Sequence, residues 1–127
     1  MQKRANGILM HISSLPGKFG IGDLWPEAYS FADFLHKAKQ KYWQILPLTL
    51  PNYKLGSSPY DCLSAFAGNT LLISPQLLYE DGLLRKTDLK DIPNFPPEQV
   101  QFQKVYNYKM KILNNWKIMM PGNEAVW

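Results

Sequence analysis

Cysteine is nearly absent. Cys62 stands alone in 127 residues, with no C-x-x-C pair and no His-rich cluster, so an internal disulfide, a disulfide scaffold and a zinc ribbon are all excluded. A reducing, cytoplasmic setting fits that usage. No apolar run approaches the roughly 18 residues that a membrane span requires. At the amino end, Met1-Gln2-Lys3-Arg4 precedes an apolar run from Gly7 to Met10 that His11, Ser13 and Ser14 break, so no signal peptide is expected. Charge of one sign is also scarce: 14 basic against 10 acidic residues leave +4, a mildly basic surface not built around a polyanion. Nucleic acid is not an expected partner, because no basic and aromatic RNA signature occurs. Internal repeats and low-complexity segments are missing as well.

Aromatic residues, in contrast, are plentiful. Four Trp, 7 Tyr and 6 Phe within a 46% hydrophobic chain are those of a soluble globular domain, yet exceed what a small core needs. Gly7 to Ile12 reads as a strand buried on both faces, followed by a loop with Gly17, Gly20 and Gly22. Pro26 and Glu27 suit a first helical turn, and Ala28, Phe31, Phe34, Leu35 and Ala38 follow at helical spacing, predicting a helix over 26–40. Tyr42 to Leu46 reads as a second strand. Strand, helix, strand is a βαβ unit, which implies parallel pairing within a larger α/β sheet.

A long irregular stretch, Pro47 to Asn69, comes next. Loops of that length inside compact domains are usually functional. Ser74 and Pro75 predict a cap and first-turn proline for a short helix, Gln76 to Glu80, that Gly82 closes. After a polar connector over 85–97, Val105, Tyr108, Ile112, Trp116 and Met119 predict a long amphipathic helix from Glu98 to about Met120, stopped by Pro121-Gly122.

The chemistry-bearing residues mostly have structural explanations. His11, at a strand end, suits a hydrogen-bonded rim residue; His36 suits a solvated helix face; Cys62 suits a small packed residue. No G-x-S-x-G turn is present. Glycoside chemistry needs two carboxylates flanking one bond, but Asp23 fits a turn before a helix, Glu27 a helix start, and Glu80-Asp81 a helix exit. Only Asp61 lies in the central loop. The Gly17 to Gly22 loop lacks a Walker lysine and the G-x-G-x-x-G spacing, so unusual backbone angles are its simplest use. Lys37, Lys39 and Lys41 read as a solvated helix end.

What remains is Pro51 to Asp61, after the carboxyl end of a buried parallel strand, where α/β sheets and barrels place binding groups. A tyrosine there can stack on a sugar ring, and Ser58 can donate to and accept from sugar hydroxyls. A packed loop aromatic is an equal reading of the same residues.

Seven blocks then occur in order: Arg4-Ala5-Asn6-Gly7-Ile8-Leu9-Met10-His11, Ser13-Ser14-Leu15-Pro16-Gly17, Gly20-Ile21-Gly22-Asp23-Leu24, Pro26-Glu27-Ala28-Tyr29, Tyr42-Trp43-Gln44-Ile45-Leu46-Pro47-Leu48, Ser58-Pro59-Tyr60 and Ser64-Ala65-Phe66-Ala67-Gly68-Asn69. Together they resemble the amino-terminal part of the amylomaltase or disproportionating-enzyme family, glycoside hydrolase family seventy-seven. The likeness is dense from Arg4 to Leu84 and weak from Val100 to Leu113. It implies an incomplete (β/α)8 TIM barrel, with 1–84 supplying the first strands and helices and 85–127 a connector and the long helix of an inserted region. It also implies a retaining 4-α-glucanotransferase that passes α-1,4-glucan segments to a glucan or glucose, without a cofactor or metal.

By the same resemblance, Ser58 and Tyr60 contact maltooligosaccharide and Tyr53 contributes to a further glucan surface. The catalytic aspartate and glutamate of the family match no residue here, so this chain alone is expected to be inactive. A barrel needs about 250 residues, so the fragment is expected to self-associate or to need the missing barrel half. The alternatives are a non-catalytic glucan-binding remnant and a module that pairs with another chain.

Overall fold

The computed structural model describes residues 3–52, 56, 58, 60–62, 64 and 66–119, with side chains up to residue 116. Two short strands, β1 (Gly7–Leu9) and β2 (Tyr42–Gln44), pair in parallel with Gly7 opposite Tyr42, Ile8 opposite Trp43 and Leu9 opposite Gln44. Helix α1 (Glu27–Lys37) makes the crossover between them. The βαβ reading therefore holds, but β1 is shorter than the apolar run. After Leu9 the Met10 N–H still donates to the Gln44 carbonyl at 3.0 Å, and the chain then turns into a 3-10 helix over Ile12–Ser14.

The expectation of strands buried on both faces is corrected. All three residues of β1 are exposed, Leu9 by 59%. Among the described residues the sheet has only two strands, and a parallel sheet is covered only when neighbouring strands and crossover helices flank it. Helix α1 covers part of it through Phe31, whose ring meets Trp43 edge-on at 5.0 Å.

The core lies elsewhere. Helix α2 (Pro75–Glu80) begins as the sequence predicts, with the Ser74 hydroxyl accepting the Leu77 N–H at 3.4 Å and Pro75 in the first turn. Helix α3 (Phe102–Met119) starts four residues later than Glu98, and Pro121-Gly122 lie outside the described residues. Phe19, Leu84, Tyr108 and Ile112 form one buried cluster; Ile21, Leu71 and Val105 form a second, and Phe95 packs against both. The glycine loop thus lies against α3. A Cβ at Gly22 would collide with the Ile12 carbonyl, and Gly20 holds φ +80° with the Phe95 ring where a Cβ would sit.

The most buried polar residue of α3 is one that its hydrophobic period conceals. Lys109 is 1% exposed, and its Nζ donates to Asp23 Oδ2 at 3.1 Å, to the Leu71 carbonyl at 2.7 Å and to the Ile73 carbonyl at 3.0 Å. All three ammonium protons are used. Asp23, 3% exposed, also accepts the Trp25 N–H through Oδ1 at 3.1 Å. Burial pushes the Asp23 carboxyl up and the Lys109 ammonium down; the attraction and hydrogen bonds between the two act against both shifts.

Helices α1 and α2 end in the same motif. In α1 the Gln40 N–H donates to the Leu35 carbonyl and the Lys39 N–H to that of His36; in α2 the Leu83 and Gly82 N–H groups reach Leu78 and Tyr79. The residue that must turn left-handed is Gly82 in one case and Lys39, at φ 57°, in the other. At the far end of the sheet the Trp43 indole N–H donates to the Met10 carbonyl at 2.7 Å, and His11 Nδ1 accepts the Leu46 N–H at 3.2 Å. That bond requires a neutral imidazole protonated on Nε2. Burial holds the His11 pKa below its ordinary value, in accord.

Three outcomes follow for urea unfolding read by tryptophan fluorescence. Lys109→Met leaves Asp23 buried and unpaired and costs about 3–5 kcal/mol, whereas adding Asp23→Asn to it costs less than the sum of the single changes. Lys39→Gly gains about 0.5–1 kcal/mol, the left-handed penalty less the extra unfolded-state entropy of glycine. His11 has a lower pKa folded than unfolded, so its contribution is complete above the unfolded value and is lost as the pH falls through the folded one. His11→Asn, with an acceptor oxygen near the place of Nδ1, removes that part of the pH dependence.

Candidate functional site

Both loops that leave the carboxyl ends of parallel strands emerge on the same side of the sheet. The His11 to Leu46 hydrogen bond ties their starting points together. In the longer loop, the described limbs on either side, 48–52 and 61–69, run antiparallel to each other. Its limbs are bridged at Thr49 with Gly68 and at Pro51 with Cys62, and joined by Asn69 N–H to the Leu48 carbonyl at 2.8 Å and Asn52 N–H to the Asp61 carbonyl at 2.9 Å. Cys62 is half-buried in the second limb. Asp61 is exposed, and among the described residues no three His, Cys, Asp or Glu side chains converge to hold a metal.

The structure brings two of the three sequence-derived site residues together. Ser58 Oγ accepts the Tyr60 N–H at 3.3 Å, and the Ser58 carbonyl accepts the Asp61 N–H at 3.1 Å, which closes a tight turn. Ser58 is half-buried, while Tyr60 is 73% exposed and so free to meet a ligand face. Tyr53 lies outside the described residues.

A similar device recurs six positions on, where sequence reasoning singled out no site residue. Ser64 Oγ accepts the N–H groups of Phe66 and Ala67, both at 3.3 Å, and Phe66 is 100% exposed. Ser58-Pro59-Tyr60 and Ser64-Ala65-Phe66 share the pattern serine, any residue, aromatic. That repeat was the available signal. Such hydroxyl-to-backbone bonds shape a turn locally, and both aromatic residues stand largely exposed beside them.

The shorter loop borders a cavity of about 800 Å³ that lies between it and the segment 93–100, with Ser13, Ser14, Lys18, Glu27, Asn94 and Glu98 among its walls. Its polar lining is mixed in charge. His36 is exposed, as are Lys37, Lys39 and Lys41. Glu27 stands in the first turn of α1, and Glu80 accepts a hydrogen bond from Gln76 at 2.9 Å at the exit of α2. Asp23 is therefore the acidic residue whose surroundings differ from the sequence reading. It faces α3 as a buried partner rather than simply shaping a turn.

Comparison with known proteins is consistent with this geometry. The family profile of glycoside hydrolase family 77, 4-alpha-glucanotransferase, matches residues 10–121. A 4-alpha-glucanotransferase of Streptococcus pneumoniae is 48% identical over 114 residues, 89% of this chain and 22% of the relative. That of Aquifex aeolicus is 46% identical over 87% of this chain and 22% of the relative, and a chloroplastic/amyloplastic one of Solanum tuberosum is 44% identical over 84% and 19%. The solved structure of an amylomaltase from Streptococcus agalactiae in complex with acarbose superimposes with a TM-score of 0.79 at 45% identity, over 89% of this chain and 23% of that one. The chain spans about a fifth of the length of the curated relatives it matches. No helix among the described residues is long and apolar enough to cross a membrane. The chain belongs to the 4-alpha-glucanotransferase family, glycoside hydrolase family 77.

Proposed function

We propose that this chain forms the first strands of the (β/α)8 barrel of a cytoplasmic 4-alpha-glucanotransferase, and contributes its glucan-contacting loop rather than its catalytic carboxylates. Residues 1–84 belong to the barrel, and 85–127 form the connector and long helix of an inserted region. The reaction is a retaining transfer of α-1,4-glucan to another glucan or to glucose, with the nucleophile and acid/base carboxylates supplied by other parts of the barrel. Tyr60 stacks on a sugar ring, Ser58 hydrogen-bonds a sugar hydroxyl, and Tyr53 extends the surface.

The observation that supports this best is the turn that couples Ser58 to Tyr60 while leaving the tyrosine ring open, within a family match that spans most of the chain. A transferase must admit a sugar hydroxyl in preference to water, and exposed aromatics on a shaped turn favour the C–H faces of sugar rings over solvent. The exposed edges and faces of β1 and β2 favour a partner that completes the sheet.

The chain alone should release no glucose from maltotriose. Mixed with a polypeptide that carries the remaining portion of a relative, it should disproportionate maltotriose, and Tyr60→Ala should lower kcat/KM by about tenfold, a loss of about 1.4 kcal/mol. Turnover by the isolated chain would show that the carboxylates are present after all. Unchanged kinetics in Tyr60→Ala would remove that residue from the substrate site. Saturable maltooligosaccharide binding without complemented activity would point instead to a glucan-binding module.

A further inference from the structure

The two loops that leave the strands also finish together. The first ends over Asp23 to Trp25, just before α1, and the second runs into Thr70 to Ser74, just before α2. The Leu24 N–H donates to the Leu72 carbonyl at 3.0 Å, and the Ser74 hydroxyl donates to the Trp25 carbonyl at 3.3 Å. The Lys109 ammonium takes the carbonyls on either side of Leu72, those of Leu71 at 2.7 Å and Ile73 at 3.0 Å, together with the Asp23 carboxylate at 3.1 Å. Three consecutive carbonyls at the exit of the second loop are thus committed, two of them to one side chain of α3. Hydrogen bonds from a charged donor are stronger than neutral ones, and at 1% exposure water does not compete for these. Next to Lys109, Met110 Sδ receives the Thr70 hydroxyl at 4.0 Å.

From this exit the hydrogen bonds continue along the loop. Asn69 Oδ1 accepts the Leu71 N–H at 3.0 Å, and the Asn69 N–H donates to the Leu48 carbonyl at 2.8 Å. Further on, the Leu50 N–H reaches the Ala67 carbonyl at 3.2 Å, the Asn52 N–H that of Asp61 at 2.9 Å, and the Asp61 N–H that of Ser58 at 3.1 Å. The loop therefore has two anchors, the His11 to Leu46 bond where it begins and the Lys109 bonds where it ends. The buried cluster of Phe19, Leu84, Tyr108 and Ile112 includes no residue of the second anchor.

We propose that Lys109, with Asp23, is a positioning residue for the 47–69 loop: its ammonium fixes the loop's exit on α3 and against the end of the first loop, and so sets where Ser58 stands. Lys109 acts through the backbone of Leu71 and Ile73 and touches none of the loop's own side chains. That the loop so held receives glucan rests on the proposed function; the anchoring does not.

Amide hydrogen exchange of the full chain, followed by NMR, tests this. Loop amides exchange by local opening and report the anchor, whereas core amides report overall stability. Lys109→Met combined with Asp23→Asn removes the anchor without leaving a buried charge, and Ile112→Val weakens the core outside it. In the double variant the Leu50, Asn52 and Asn69 amides should exchange about tenfold faster or more, with those of α1 within about threefold of the native chain. Ile112→Val should leave the three loop amides unchanged. Loop amides unmoved by the double variant, or sped equally by Ile112→Val, would overturn the proposal. Loss of folding in the double variant would overturn it too, because the pair would then serve the fold rather than the loop. In the chain complemented with the remaining portion of a relative, the double variant should raise the KM for maltotriose about tenfold and change kcat less than about threefold, and Ile112→Val should move neither. Faster loop exchange with an unmoved KM would uphold the anchor and count against the loop as the glucan site.

Discussion

The fold depends on one buried ion pair, Lys109 with Asp23. Lys109 reaches from the middle of α3 to the carboxylate of Asp23 and the carbonyls of Leu71 and Ile73, and so holds together three segments that are far apart in sequence. Burying an ammonium and a carboxylate is costly unless every proton and lone pair finds a partner. Here the lysine protons are all used, and one aspartate oxygen is taken by the backbone of Trp25. The pair adds specificity of position more than net stability: only one register of α3 along the glycine loop satisfies it. Gly22, immediately before Asp23, has no room for a Cβ against the Ile12 and Leu15 carbonyls, so the chain packs onto the 12–15 turn there only as glycine.

That arrangement explains an asymmetry in the molecule. The packed part lies between the glycine loop, the segment from Leu71 to Phe95, and α3, whereas the parallel sheet is covered on part of one face by α1 and otherwise open. Ile8, Leu9, Phe34 and Tyr42 remain exposed on or near it. An isolated parallel pair gains little from its own hydrogen bonds, and its stability normally comes from layers packed on both sides. The loops at the carboxyl ends are better tethered than the strands that launch them. Hydrogen bonds from Leu46 to His11 and from Trp43 to Met10 fix where the loops begin, and bonds between Leu50 and Ala67, Asn52 and Asp61, and Asn69 and Leu48 join the described limbs of the longer loop.

How much was legible varies with the range of the interaction concerned. The Ser74 cap, the first-turn Pro75 and the Gly82 exit of α2 were readable because each acts within four residues. The end of α1 was not, because Lys39 adopts the left-handed geometry that glycine would have announced. Tyr60 and Ser58 were readable as a motif, but the parallel turn at Ser64 and Phe66 was hidden by having a phenylalanine, which looks like core until its full exposure is seen. Lys109 was hidden for the converse reason, since a lysine within an amphipathic helix is ordinarily assigned to the solvent side.

The sequence by itself determined the βαβ order, the parallel sense of its strands, the capped short helix, the long helix, and the family to which seven ordered blocks point. These follow from local propensity, hydrophobic period and motif, which need no knowledge of what packs against what. Only the tertiary structure decided that Asp23 serves α3, that the strands lie exposed while the loops are anchored, and that the Tyr108 hydroxyl is buried with no partner among the described residues. Each of these depends on contacts across tens of residues, where burial and charge pairing override the character a residue has on its own.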